Sequence, residues 1–347
     1  MNLFVEELYG RFAMQNEYLG GNKAVNAKCP LVSVVITTYQ HRDFIRQCID
    51  AVLMQEVDFD YEIIIGDDGS TDGTAEICKE YAFAHQDKIR LYIRDRNVSH
   101  IIIDGNDTRY NGIWNRMSAR GKYIALCEGD DYWTDPLKLQ KQVDVLEGNP
   151  EIAMCVTNAS QLSENGLCDE QGRYSESRIA STEDVMRIGG GFARTATFMF
   201  RKSLIDNYPE CCLTCHVGDF PLQTFALING GIYYLADRTA VYRYFTTGNS
   251  WSARIKRANI EKLMKGWRSE FDMLSGLDAY SGGKYHELFV WRAARLLYEN
   301  ISRHRDKRNM IVEHFEDVYA CFDFKMKLKE RYHYLLYRIR NVCHFGR

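Results

Sequence analysis

Five short apolar runs rich in β-branched residues, separated by helix-patterned stretches, constrain this chain more than any other feature. They are Leu31-Val32-Ser33-Val34-Val35-Ile36-Thr37, Glu62-Ile63-Ile64-Ile65, Ile89-Arg90-Leu91-Tyr92-Ile93, Tyr123-Ile124-Ala125-Leu126-Cys127 and Ile152-Ala153-Met154-Cys155-Val156. Short runs without a polar face suit strands covered on both sides. Between them, Phe44, Ile45, Cys48, Ile49, Val52 and Leu53 fall on one helical face. Asp135-Pro136 reads as the start of a second helix, with Asp as cap and Pro in the first turn. Leu139, Val143 and Leu146 form its stripe, and Gly148-Asn149-Pro150 ends it. This alternation predicts an α/β fold with a doubly wound, mostly parallel sheet and helices on both faces.

The flanks read differently. Residues 1–29 are a polar lead-in with one short amphipathic stretch, so ordered structure is expected from Pro30. Residues 256–303 read as helical, which makes the C-terminal region a helical appendage. The last 26 residues, Phe322–Arg347, hold seven Lys or Arg against Asp323 and Glu330, a local charge of +5 in a chain of net charge −3. Tyr332, Tyr334, Tyr337, Leu335, Leu336 and Ile339 lie among them. The tail reads either as a solvated helix docked by its aromatic face or as an interfacial anchor near anionic lipid.

The overall charge gives no ground for nucleic acid as a partner. Glu6 and Glu7 stand where a secretory signal needs base, and no run approaches the ~20 apolar residues that cross a bilayer. Eleven cysteines in such a chain are expected as reduced thiols, with Cys127 and Cys155 acting as small core residues. A cytoplasmic location follows as the expectation.

Chemistry is concentrated where the strands end. Ligands of open α/β sheets bind beyond the carboxyl ends of the strands. The first run ends in Thr37-Thr38-Tyr39, the second in Gly66-Asp67-Asp68-Gly69-Ser70-Thr71-Asp72, and the fourth in Cys127-Glu128-Gly129-Asp130-Asp131. If those strands are neighbours, at least four carboxylates share one crevice. Like charges raise one another's pKa, and a divalent cation relieves the crowding. Mg²⁺ or Mn²⁺ with a diphosphate completing the ligand shell suits clustered carboxylate oxygens.

Other phosphate sites fail on inspection. The P-loop pattern is absent, and Thr37-Thr38-Tyr39-Gln40-His41 replaces the glycine-rich turn of a dinucleotide-binding strand. A haloacid-type phosphatase would place its nucleophile where Gly66 stands. A nucleotidyltransferase would need a glycine-rich triphosphate loop after the first strand, which is missing. Cys212-Leu213-Thr214-Cys215-His216 has the form of a haem attachment motif, and with Cys211 it offers zinc ligands. Haem attachment belongs outside the cytosol and zinc would want a second ligand pair, so a variable loop is expected there.

Three stretches in combination carry a family resemblance: Val34-Val35-Ile36-Thr37-Thr38-Tyr39, residues 64–74, and Gly121 through Trp133. Residues 30 to about 156 resemble the donor-binding half of the family-2 inverting glycosyltransferases with a GT-A fold, of the type that builds bacterial surface polysaccharides. Weaker similarity runs to about Ser252. The resemblance implies a domain over 30–252, with a nucleotide-sugar-binding half (30–156) and an acceptor half (157–252), between the 1–29 extension and a helical 253–347.

It also implies roles. Thr38 and Tyr39 would line the nucleotide base. Asp67 would accept a hydrogen bond from it, favouring uracil or thymine, and Asp68 would sit beside the ribose. Glu128-Gly129-Asp130 occupies the family's Asp-x-Asp signature, with Glu128 near the ribose and Asp130 on the Mn²⁺ or Mg²⁺ ion. Asp219, within Gly218-Asp219-Phe220-Pro221-Leu222, would be the base that deprotonates the acceptor, although an Asp there also suits a helix cap. Gly189-Gly190-Gly191 followed by Thr197 through Arg201 resembles the strand that brings the acceptor pocket together.

The chain departs from the family at three places. Glu128 stands where the signature has Asp, and Asn97-Val98-Ser99 lacks the usual Gly. Tyr242-Arg243-Tyr244-Phe245 has Phe where members often carry a His over the diphosphate, so the role falls to Arg243, to another cation or to none. The expected activity is transfer from a UDP- or dTDP-sugar to a glycan or lipid-linked acceptor, with peripheral contact at the inner face of the cell membrane through 322–347. The alternatives are a non-catalytic nucleotide-sugar or glycan-binding module and a nucleotidyltransferase.

Overall fold

A computed structural model describes residues 3–20, 29–103, 106–169, 172–244 and 255–344. The first β-branched run becomes β1 (Val32–Thr38), in which every residue but Thr37 is buried. β2 (Tyr61–Asp67) and β3 (Ile89–Ile93) follow it in sequence. β4 (His100–Ile103) and β5 (Asn106–Arg109) pair separately as a two-stranded antiparallel ribbon. β6 (Tyr123–Glu128), β7 (Tyr132–Trp133), β8 (Met154–Ser163), β9 (Gly166–Cys168), β10 (Arg178–Ile179), β11 (Met199–Arg201) and β12 (Ile232–Arg243) complete the strands described. The main sheet runs β10-β12-β8-β11-β6-β1-β2-β3, with β7 on β12 and β9 on β8.

β3, β2, β1 and β6 are mutually parallel, and β12 runs parallel to β8. β11 lies antiparallel between β6 and β8. The sheet is therefore mostly parallel and mixed. Helices Ile45–Leu53, Thr74–Ala84 and Lys138–Gly148 cover one face through Ile49, Val52, Ile77, Leu139 and Leu146 packed on Val34, Ile36, Ile63 and Ala125. Each fully buried Val, Ile or Leu stabilises the fold by roughly 1.5–3 kcal/mol. Helix Asn111–Met117 covers the other face, where Asn111 and Asn115 donate to the carbonyls of Gly66 and Ile36. Cys127 and Cys155 are fully buried core thiols.

Two local expectations are corrected and a third gains detail. Order begins well before Pro30: Leu3–Ala13 is a helix whose Leu8 is buried against Tyr110, Trp114 and Leu213. The Asp135-Pro136 pair precedes its helix instead of opening it. Asp135 accepts from the Leu137 N–H and pairs with Lys141, and the helix begins at Lys138. Residues 256–303 form two helices, Ile260–Tyr280 and His286–Arg303, parted by a turn with Gly282 and Gly283 at positive φ. The chain resolves into two compact units, 1–214 with 218–257, and 215–217 with 258–347. Among the described residues no helix is long and apolar enough to cross a membrane.

Lys138 carries a measurable consequence of this packing. Its side chain is fully buried, with Nζ 2.5 Å from Gln142 Oε1 and 4.3 Å from the centre of the Trp133 ring. Burial pushes its pKa from 10.5 down to about 7. Between those values the unfolded chain binds a proton that the folded one does not. Stability then rises with pH across that window, by up to ~1.4 kcal/mol per pH unit. Lys138→Met should remove this rise, as read from urea midpoints between neutral and alkaline pH; an unchanged pH dependence contradicts the assignment.

Candidate active site

The register of the sheet decides which motifs meet. β1 lies between β2 and β6, so Thr38 is level with Asp67 and Thr37 is level with both Gly66 and Glu128. The three polar strand ends thus line one edge. At the opposite end of the same strands, the buried Glu62 shows how the fold treats a structural carboxylate. It pairs with Arg120 at 2.7 Å and Arg90 at 3.4 Å and accepts from Ser33 Oγ at 2.6 Å. The edge holding the motifs is the contrast. Among the described residues, no Lys or Arg forms an ion pair with Asp67, Glu128, Asp130, Asp131 or Asp219.

The protonation equilibria record that imbalance. Burial, and then the charges of Asp130 and Asp219, push Glu128 up to about 8. Asp131 rises well above the ordinary carboxylate range through burial and the charges of Asp130 and Glu128. Asp67 rises through burial, although the Ser70 N–H at 2.9 Å holds one of its oxygens. Its other oxygen, Oδ1, is buried without a hydrogen-bond partner, as is Asp131 Oδ2. A buried acceptor left unsatisfied costs about 1–3 kcal/mol, which a ligand N–H would recover.

Loop geometry sets the remaining positions. Gly129 donates to the Thr37 carbonyl at 2.9 Å, and a Cβ there would sit 2.8 Å from Thr38 Cβ and 2.9 Å from His41 Nδ1. No larger residue fits unless Thr38 and His41 give way. Asp130 is partly exposed, with Oδ2 3.9 Å from His41 Nε2. Burial lowers the His41 pKa against the pull of Asp130, Asp72 and Asp67. Gln40, at φ 57°, ties the loop after β1 to the second motif by accepting from the Thr71 and Asp72 N–H groups. Asp68 pairs with Arg96 at 3.1 Å and accepts from Ser99. The Arg96 guanidinium lies 3.6 Å from the centre of the Tyr39 ring.

Asp219 reaches the same crevice from the first turn of helix Asp219–Ile228. Its Oδ1 accepts from the Phe220 N–H at 2.7 Å, and its carboxylate rests against Gly190, where a Cβ would come within 3.0 Å. Burial raises its pKa and the charge of Arg194 opposes the rise. The helix starts at Asp219 itself, with Gly218 as the cap, so the carboxylate is not the capping group. Glu128 feels both Asp130 and Asp219, which places acidic residues some ninety positions apart around one point.

Arg243 is engaged within the protein. Its guanidinium donates to the Asp130 carbonyl and to Gln47, and it lies 4.8 Å and 4.7 Å from the centres of the Phe44 and Tyr132 rings. Its own N–H donates to Asp131 Oδ1 at 2.8 Å. It braces the acidic loop from β12. Phe245 lies outside the described residues. His41, Arg96, Arg194 and Arg116, whose charge opposes the rise at Glu128, were not singled out from sequence as site residues. His41 had a visible signal, two positions beyond Tyr39, whereas Arg116 and Arg194 had none.

The donor set suits one divalent cation. Asp130 offers a carboxylate without a Lys or Arg ion pair among the described residues, beside further carboxylates whose raised pKa values a positive charge would reverse. Among the described residues no three His, Cys, Asp or Glu side chains form a cage, either here or at Cys211–His216. A cation here would take its other ligands from a diphosphate, the usual arrangement for Mg²⁺.

Comparison with known proteins agrees with this geometry. The model of the family "Glycosyl transferase family 2" matches residues 33–209, just over half the chain. The uncharacterized protein Rv1520 of Mycobacterium tuberculosis is 29% identical over 272 residues, spanning 78% of this chain and 75% of that one. The uncharacterized glycosyltransferase EpsJ of Bacillus subtilis is 39% identical over 104 residues, 30% of this chain and 27% of that one. Among solved structures, S. aureus TarS 1-349 in complex with UDP-GlcNAc superposes with a TM-score of 0.59 at 15% identity, covering 85% of this chain and 82% of that one. That likeness shows the fold. The chain belongs to glycosyl transferase family 2 and is a glycosyltransferase with the GT-A fold.

Proposed function

We propose that the enzyme transfers a sugar, with inversion, from a UDP- or dTDP-linked donor to a glycan or lipid-linked saccharide acceptor in polysaccharide biosynthesis. The observation that carries the reading is the set of carboxylates that lack a Lys or Arg ion pair among the described residues, in which Glu128 feels the charges of both Asp130 and Asp219. Asp67 presents its unpartnered Oδ1 to the N3–H of uracil or thymine. Tyr39 packs on the base, Thr38 lines it, and Asp68 and Glu128 face the ribose. The acceptor oxygen attacks the anomeric carbon as the bond to the diphosphate oxygen breaks. Asp219 takes the acceptor proton, and the nucleoside diphosphate leaves with the electron pair.

A Mn²⁺ or Mg²⁺ ion would neutralise the leaving diphosphate, and Asp130 would hold it. Arg243 then acts as a positioning residue, because its guanidinium holds the Asp130 carbonyl. On this reading residues 30–156 bind the donor and 157–252 the acceptor, on the cytoplasmic side of the membrane. TarS has been seen with UDP and with UDP-GlcNAc, which favours a uridine nucleotide here as well.

The test is release of UDP from a panel of UDP-sugars with Mn²⁺, with and without a crude lipid-linked saccharide acceptor. Turnover that needs the metal supports the reading. Tight binding of UDP with no hydrolysis or transfer for any donor overturns it in favour of a binding module.

A further inference from the structure

The C-terminal helix Phe324–His344 shows a face that protein folding alone leaves unexplained. Its inner side is fixed within its own unit. Buried Glu330 accepts from Arg308 at 2.6 and 2.8 Å and from the Tyr319 hydroxyl at 3.1 Å, and His333 meets the Tyr298 hydroxyl at 3.3 Å. Those contacts prevent the helix from rolling. On the outer side Phe324 is 80% exposed, Leu328 58%, Tyr332 57% and Leu335 57%. At 100° per residue these four fall within one quarter of the circumference, a strip about 17 Å long. An apolar strip left in water on a helix otherwise held firmly marks a surface that meets something else.

The charges beside the strip say what it meets. Lys325 and Lys329 follow it on one side, Lys327 and Arg331 on the other. The two acids of the segment do not face it. Glu330 is buried against Arg308, and Asp323 accepts from the Met326 N–H at the start of the helix. An apolar centre with cations along both rims is the pattern of a helix lying flat in an anionic membrane interface, where the basic stems reach outward to phosphate. Tyr332 suits the headgroup level. A second copy fits poorly, since paired strips would set cationic rim against cationic rim, whereas self-associating helices carry both signs there.

We infer that Phe324, Leu328, Tyr332 and Leu335, rimmed by Lys325, Lys327, Lys329 and Arg331, dock the protein on an anionic lipid surface. The inference goes beyond the donor-site reading and stands without it. The test is co-sedimentation of the full chain with phosphatidylcholine vesicles, pure or containing about one third phosphatidylserine. Binding should be about tenfold or more tighter to the anionic vesicles and should fall steeply with salt. Leu328→Glu with Leu335→Glu should abolish binding while leaving the ligand-free melting temperature and the helical circular dichroism signal unchanged. Lys325→Glu with Lys329→Glu, which leaves the apolar strip intact, should erase the preference for phosphatidylserine. No binding, equal binding to both vesicles, or full binding by either variant overturns the inference. So does a lipid-free dimer that Leu328→Glu converts to monomer, which would assign the strip to a second copy.

Discussion

Asp219→Asn is expected to lower the rate of sugar transfer by about 10²–10⁴-fold, the usual contribution of a positioned general base. The substitution is nearly isosteric. The amide oxygen can still accept from the Phe220 N–H, now at 2.7 Å, and the room beside Gly190 is unchanged. Only the capacity to take the acceptor proton is lost. Binding of UDP with Mn²⁺ should therefore survive, so the loss falls on turnover. Single-turnover rates with saturating donor separate the two, and an unimpaired Asp219→Asn rate removes Asp219 as the base. Because burial raises the Asp219 pKa, the wild-type rate should also fall as pH drops through that raised value, and the variant should lose this acid limb.

Asp130→Ala is expected to cost about 10²–10³-fold in transfer, comparable to removing one electrostatic stabiliser of developing charge. Chelation of the metal should give a loss of similar size in the wild type and little further loss in the variant. The two treatments remove the same interaction, so their effects should not add. The Asp130 side chain makes no Lys or Arg ion pair among the described residues, and the loop around it is braced through backbone groups by Arg243 and Gly129. The variant should fold, and its melting temperature without ligand should match or exceed the wild type, since one of the charges pressing on Glu128 and Asp131 is gone. Full activity in the presence of a chelator contradicts the assignment.

The donor edge was legible because each apolar run stops abruptly at its motif. Ile65-Gly66-Asp67 and Cys127-Glu128 mark both a strand and its carboxyl end, and parallel pairing on either side of β1 then brings the ends level. Asp219 was reached through family resemblance. Nothing in its local sequence tells that helix Asp219–Ile228 turns it towards Glu128. β11 was likewise reached through the resemblance, as a strand within Thr197 through Arg201; its three residues, Met199–Arg201, carry too little pattern to declare that it runs antiparallel in the middle of a mostly parallel sheet. The docking of Leu3–Ala13 was hidden for a related reason. The buried Leu8 finds partners about a hundred and two hundred residues away. The tail's basic and aromatic content was plain, but which face was spare depended on Glu330 pairing with Arg308.

The central claim, that the carboxylate-lined edge binds a uridine or thymidine diphosphate through Asp67 and a divalent cation, is tested most directly by thermal stabilisation of the wild-type protein. UDP with Mn²⁺ at a hundredfold excess over Kd should stabilise it by about 2.7 kcal/mol, an easily resolved shift in Tm. UDP without metal should give much less, and GDP with Mn²⁺ little, because the larger bicyclic guanine would carry its N1–H away from the position where uracil N3–H meets Asp67 Oδ1. Stabilisation by GDP and not UDP, or equal stabilisation by UDP with and without the metal, would contradict the account.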